Sequence, residues 1–142
     1  MSITLSGNDN VVYQVVQGTF STVTTVSSST YVTTGLTASI TPKFSTSKIL
    51  IIATCTTFTS GSATGLSFRI VRGSTDIWTS INYSSYSSSG GGLIATNTVN
   101  WLDSPNTTSS TSYTLQFNSA GGAQTAQYGS APSSIILMEV AA

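Results

Sequence analysis

The sequence predicts an all-β domain: a jelly-roll-like antiparallel β-sandwich of eight to ten short strands, acting as one copy in an oligomer. Three observations carry the fold. Val, Ile, Thr, Tyr and Phe dominate the ordered stretches, the composition of pleated, half-buried strands. Segments with period-two alternation or short apolar runs recur with Gly, Pro, Asn and Asp punctuation between them, at intervals typical of sandwiches and barrels. No stretch carries the 3.6-residue periodicity of a helix, and no repeat of 20 to 50 residues points to a propeller or solenoid.

Val11 to Gln17 and Thr19 to Val26 read as strands separated by Gly18. Tyr31 to Thr33 and Leu36 to Ile40 follow, broken at Gly35 and ended by Pro42, which supplies no ladder donor. Lys48 to Thr57 (KILIIATCTT) is the most hydrophobic run and is expected to be a central strand covered on both faces, with Lys48 as a gatekeeping charge at its mouth. Leu66, Phe68 and Ile70 alternate with polar partners, and Arg72-Gly73-Ser74 turns the chain into Thr75 to Ile81 as a hairpin. Residues 82–92 (NYSSYSSSGGG) read as a surface excursion. Strands resume at Leu93 to Leu102, Tyr113 to Phe117, Gln124 to Tyr128 and Ile135 to Val140. The expected organisation is a short polar arm over 1–17 and one sandwich domain over 18–142.

The 142-residue length suits one domain that buries roughly 70% of its extended surface. Charged residues make up 6% of the chain, against about 25% in an ordinary soluble domain, while Ser and Thr supply more than a third of it. Hydroxyls therefore keep the surface wet, and a near-neutral surface of this kind gives little protection against self-association. Four basic and four acidic residues leave a formal net charge of zero, with no footprint for a phosphate backbone, so nucleic acid is not an expected partner. The N-terminus has neither the basic end nor the apolar stretch of a secretory signal, and no apolar run approaches about 18 residues. Neither export by a cleaved signal nor membrane spanning is expected.

The chain contains no histidine, which removes the commonest general base, zinc ligand and serine-triad partner together. Cys55 lies inside the apolar run with nothing to activate it, and the serines form no Gly-x-Ser-x-Gly elbow. The four carboxylates are scattered: Asp9 in the arm, Asp76 after the hairpin turn, Asp103 in a Leu-Asp-Ser-Pro turn where it can bond nearby amides, and Glu139 in the last strand. No loop has the acidic spacing of a calcium site, and Ser87 to Gly92 lacks the lysine and helix of a phosphate cradle. The expectation is a protein that is not an enzyme and uses no cofactor or metal. The sequons at Asn82 and Asn106 are expected to be unused.

The candidate contact surface comprises Trp78, Tyr83, Tyr86, Arg69 and Arg72. Aromatics on loops can anchor a partner or stack on a sugar face; Tyr83 and Tyr86 fit that role or plain solvent exposure. Arg69 and Arg72 flank the hairpin turn, where an acidic-partner site competes with a solvated hairpin end. Trp101, within TVNWL, is expected to pack in the sandwich or against a sister subunit.

Several segments together carry a resemblance. Tyr31-Val-Thr-Thr-Gly-Leu-Thr-Ala-Ser-Ile-Thr-Pro-Lys43, Ser47-Lys-Ile-Leu-Ile-Ile52, Phe68-Arg-Ile-Val-Arg-Gly-Ser-Thr75, Leu102-Asp-Ser-Pro105 and Met138-Glu-Val140 resemble β-domains of structural proteins of tailed bacteriophages. The resemblance implies a jelly-roll-like fold that often assembles as a trimer, in small virion proteins or at tail-fibre ends, and it offers no catalytic residues. With only a short arm before the domain and no shaft, the first expectation is a capsid decoration or cement protein, made in the host cytoplasm and bound to the major capsid protein on the head surface. The alternative is a tail-fibre tip or receptor-binding adhesin that presents Trp78 to Gly92 to a host glycan. A surface-polysaccharide enzyme comes third.

Overall fold

The computed structural model describes residues 11–80 and 83–142. Eleven strands form two antiparallel sheets: β1 (Val12–Phe20), β2 (Thr24–Val26), β3 (Val32–Ile40), β4 (Lys48–Thr59), β5 (Thr64–Arg72), β6 (Thr75–Thr79), β7 (Ser85–Ser87), β8 (Leu93–Asp103), β9 (Thr111–Ser119), β10 (Gln124–Ala126) and β11 (Ser133–Val140). The larger sheet is built on β4, whose first part pairs with β11 and whose last part pairs with β10 on the same side, while β8 pairs along its whole length on the other. β1 extends this sheet beyond β11, and β2 extends it beyond β10. The smaller sheet runs β3-β9-β5-β6, with β7 also on β5.

Alternation explains the core. Ile49, Ile51, Ala53 and Cys55 of β4 point inward and are fully buried. They meet Leu66, Phe68 and Ile70 of β5 and Tyr113, Leu115 and Phe117 of β9 in one hydrophobic cluster, with Ile135 and Leu137 of β11 beside them. Burying a Leu, Ile or Phe side chain stabilises by about 1.5–3 kcal/mol each, so this inner layer drives the fold.

β4 is central as expected, but only its inner face is covered. Leu50, Ile52, Thr54, Thr56 and Phe58, on its outer face, remain partly exposed, because no layer lies above the larger sheet among the described residues.

Gly18 does not separate two strands: β1 runs through it, and the expected boundary between arm and domain falls inside this strand. A glycine is needed there because a Cβ would collide with the Thr37 carbonyl oxygen where β1 approaches β3. Gly35 likewise lies within a single strand, at a register shift in β3; its φ is +87°, and the Phe20 ring occupies the space a Cβ would take. The 82–92 excursion contains a strand, β7, which pairs with the start of β5. Asn82 and Ile81 lie outside the described residues, as does Asp9.

Candidate interaction surfaces

Buried polar groups first show which side chains are already committed. Arg72 donates from Nη1 to both oxygens of Asp103, at 2.9 and 2.8 Å, and to the Ser104 carbonyl oxygen at 3.3 Å. Tyr113 donates its hydroxyl to Asp103 at 2.8 Å, and burial together with this bond pushes its phenol far up from 10.0. Asp103, expected to cap its own turn, instead joins β8 to β5 and β9 across the sandwich. In the same register row, across Ile49 of β4 from Asp103, Glu139 of β11 is fully buried and accepts from Gln14 Nε2 at 2.6 Å and from the backbone amides of Lys43 at 2.7 Å and Phe44 at 3.4 Å. Burial pushes its carboxyl up, but the hydrogen bonds from Gln14 and the two amides outweigh that and hold it below 4.5.

Cys55 is fully buried, and burial pushes its thiol up, the opposite of activation. Among the described residues no three His, Cys, Asp or Glu side chains come together as metal ligands, and no helix is long and apolar enough to cross a membrane.

The five expected contact residues do not converge on one site. Arg72 is tied to Asp103. Arg69, on the outer face of the smaller sheet, pairs with Asp76, donates from Nε to Gln116 at 2.7 Å and lies 4.5 Å from the centroid of the Tyr31 ring. Neither arginine is the solvated hairpin end weighed above. Trp78 sits opposite Ile70, so it points inward and packs half-buried against the core. Only Tyr83 and Tyr86 are both exposed and adjacent: their rings stack with centroids 5.1 Å apart and planes inclined by 25°. The stack lies over Gly65, where a Cβ would meet the Tyr83 ring. Because alternate residues of a strand share a face, Gly65, Ser67 and Arg69 place the stack and the Tyr31–Arg69 pair along one polar, aromatic surface.

The opposite surface is of another kind. Register pairs share a face, so Val15, Met138, Leu50 and Leu102 form one apolar row across β1, β11, β4 and β8. The next row is Gln17, Ile136, Ile52 and Asn100. Beyond a band of threonines, with Thr54–Thr98 and Thr56–Thr96 hydroxyls each 3.0 Å apart, comes a second apolar cluster: Ile94 beside Phe58, whose ring stacks on Tyr128 at 4.8 Å. Val15, Ile94 and Leu102 are 55%, 58% and 46% exposed. Sequence reasoning missed this face; the alternation in Lys48 to Thr59 shows apolar residues on both sides of the strand, but not that one side lacks a cover. Trp101, expected to pack in the sandwich or against a sister subunit, is 40% exposed in the single chain.

These features define a class: a jelly-roll-like antiparallel sandwich with two broad outer faces. No family model matches the chain, and no curated protein matches it in sequence. Solved structures do share the fold. The VP2 subviral particle of infectious bursal disease virus matches with a TM-score of 0.57 at 14% identity over 99% of this chain. The structure of the Gt strain of that virus matches at 0.54, with 13% identity over 100% of it. The chain spans 37% and 42% of the lengths of those chains. The chain therefore shares its two-sheet architecture with part of those virus-particle proteins, at a level of identity that speaks to architecture alone.

Proposed function

We propose that this chain is a virion structural protein, a decoration or cement protein on the outer surface of a tailed-phage head, where it binds the major capsid protein and ties neighbouring shell subunits together as a homotrimer. The observation that carries this reading is the uncovered outer face of the larger sheet, with its row Val15–Met138–Leu50–Leu102, a row that contains no charged side chain. Contiguous exposed apolar surface marks a protein-binding face. Its middle band of threonine hydroxyls supplies hydrogen-bonding groups without the desolvation cost of buried charges. The sandwich shared with viral capsid proteins supports the virion setting, and many copies on one shell turn weak single contacts into firm attachment. The test is a comparison of particles assembled with and without the chain. The reading expects earlier shell rupture on heating when the chain is missing, restored by adding the purified protein; unchanged rupture that added protein does not alter contradicts it.

The Tyr83–Tyr86 stack favours a second reading, a tail-fibre tip or receptor-binding adhesin in which exposed rings meet a host glycan. The stack covers only one end of the smaller sheet, whereas the apolar row crosses four strands. The shell reading takes precedence on that ground.

A further inference from the structure

Sheet edges reveal a partner that neither outer face specifies. A free strand edge exposes unpaired backbone N–H and C=O groups, and proteins that stay single shorten, bulge or charge such edges. Most edges here are treated in this way. β1 has a register shift between Val12 and Gln14, and β3 has one between Thr33 and Thr37. β6 has five residues, a register shift against β5 and Asp76; β2 and β7 have three residues each. β8 differs. It pairs with β4 through eleven consecutive positions without a shift, contains no Pro, Gly or Lys, and has no second strand partner among the described residues.

The sequence of this edge is self-complementary. Turned about Thr98 and laid antiparallel on a second copy, Leu93–Asp103 places Ile94 opposite Leu102, Thr96 opposite Asn100 and Thr98 opposite itself on the outer face. On the inner face, Trp101 falls opposite Ala95, a large side chain against a small one, and Val99 falls opposite Asn97. Ile94, Leu102 and Trp101, exposed by 58%, 46% and 40%, are covered by this single register. Electrostatics agree: the strand's only charged residue, Asp103, comes to lie at opposite ends of the seam in the two copies, about 34 Å apart, so no like charges meet.

We infer that β8 is a twofold seam on which a second copy of this chain adds its own β8, joining two larger sheets into one continuous sheet. The Thr54–Thr98 hydroxyl ladder then runs on across the axis through the partner's Thr98. This pairing is isologous and independent of any threefold contact. It does not rest on the virion reading, because it forms in solution without a shell.

The experiment is disulfide trapping of the purified full chain. Thr98→Cys brings two thiols together on the axis, at a Cα separation of about 4.5–5.5 Å whichever type of antiparallel pair forms there, within disulfide reach. Cys55 is buried and does not compete. Under mild oxidation the variant is expected to yield a covalent dimer about tenfold faster or more than Val23→Cys, a 46% exposed control away from β8. Thr98→Lys and Thr98→Glu, each placing like charges on the axis, are expected to halve the sedimenting mass, and an equal mixture of the two is expected to restore it. Trapping no faster than at the control position, or an unchanged mass for both charged variants, overturns the inference.

Discussion

Tyr113 on β9 and Asp103 on β8 meet across the sandwich through a 2.8 Å hydrogen bond, and Arg72 holds the same carboxylate from β5. One buried carboxylate thus fastens the long edge strand of the larger sheet to two strands of the smaller one. Tyr113→Phe removes one bond and leaves Asp103 paired, so the expected loss is about 1–2 kcal/mol. Asp103→Ala strands a buried phenol and an arginine together and is expected to cost more than Tyr113→Phe. Urea unfolding midpoints with unchanged slopes measure both; equal losses in the two variants contradict this account of the link.

Glu139 gives the stability a definite pH dependence. Its carboxyl is held below 4.5 in the folded chain, so it contributes stability that is complete above that value and lost as pH falls through the lower folded one. Thermal melting is expected to weaken below about pH 4.5, and Glu139→Gln, already destabilised at neutral pH, is expected to weaken less steeply on acidification. A variant with the same acid slope as the parent shows that Glu139 is not the group responsible.

Glycine substitutions separate packing from loop freedom. Gly18→Ala forces a methyl group against the Thr37 carbonyl, and Gly35→Ala adds a left-handed φ to a clash with Phe20; each is expected to destabilise by about 1–3 kcal/mol. At Gly90 a Cβ meets open space, and Gly90→Ala is expected to stay within about 0.5 kcal/mol of the parent. Chemical denaturation of the three variants checks the order.

Cys55 is expected to remain unmodified by an aromatic disulfide reagent in the folded chain and to react fully once unfolded, because burial both hides the thiol and disfavours its thiolate. Rapid labelling under native conditions contradicts the closed core drawn around β4.

Much of the sandwich was legible because alternation is a local property. The Leu66-Phe68-Ile70 hairpin strand and Tyr113-Leu115-Phe117 announce their inward faces in the order of their residues, whereas Lys48 to Thr57 announces a central strand but not which face is covered. What stayed hidden depends on partners distant in sequence. Gly18 and Gly35 look like breaks until β3 and Phe20 are seen occupying the missing side-chain space. β7 sits in a run of serines that has no strand signal of its own and is held by the start of β5. Asp103 reads as a turn residue because Arg72 and Tyr113, its true partners, lie 31 and 10 residues away. The candidate surface was half legible: Tyr83 and Tyr86 were recognisable as exposed aromatics, whereas the apolar row from Val15 to Leu102 exists only once four strands from four separate parts of the chain align.

If the tyrosine stack is the working surface, replacing Tyr83 and Tyr86 with Ser is expected to abolish adsorption of particles to host cells while leaving assembly intact. If the larger sheet is, adsorption is unchanged and Leu50→Ser with Leu102→Ser releases the protein from shells instead. Counting particles bound to cells, alongside protein retained on sedimented shells, distinguishes the two.

The most direct measurement is the number of copies of this chain in a purified particle, by quantitative mass spectrometry against the major shell protein. A shell-binding sandwich predicts copies in a fixed ratio to the shell protein, lost together with the outer surface. A few copies per particle, travelling with isolated tails, contradicts it.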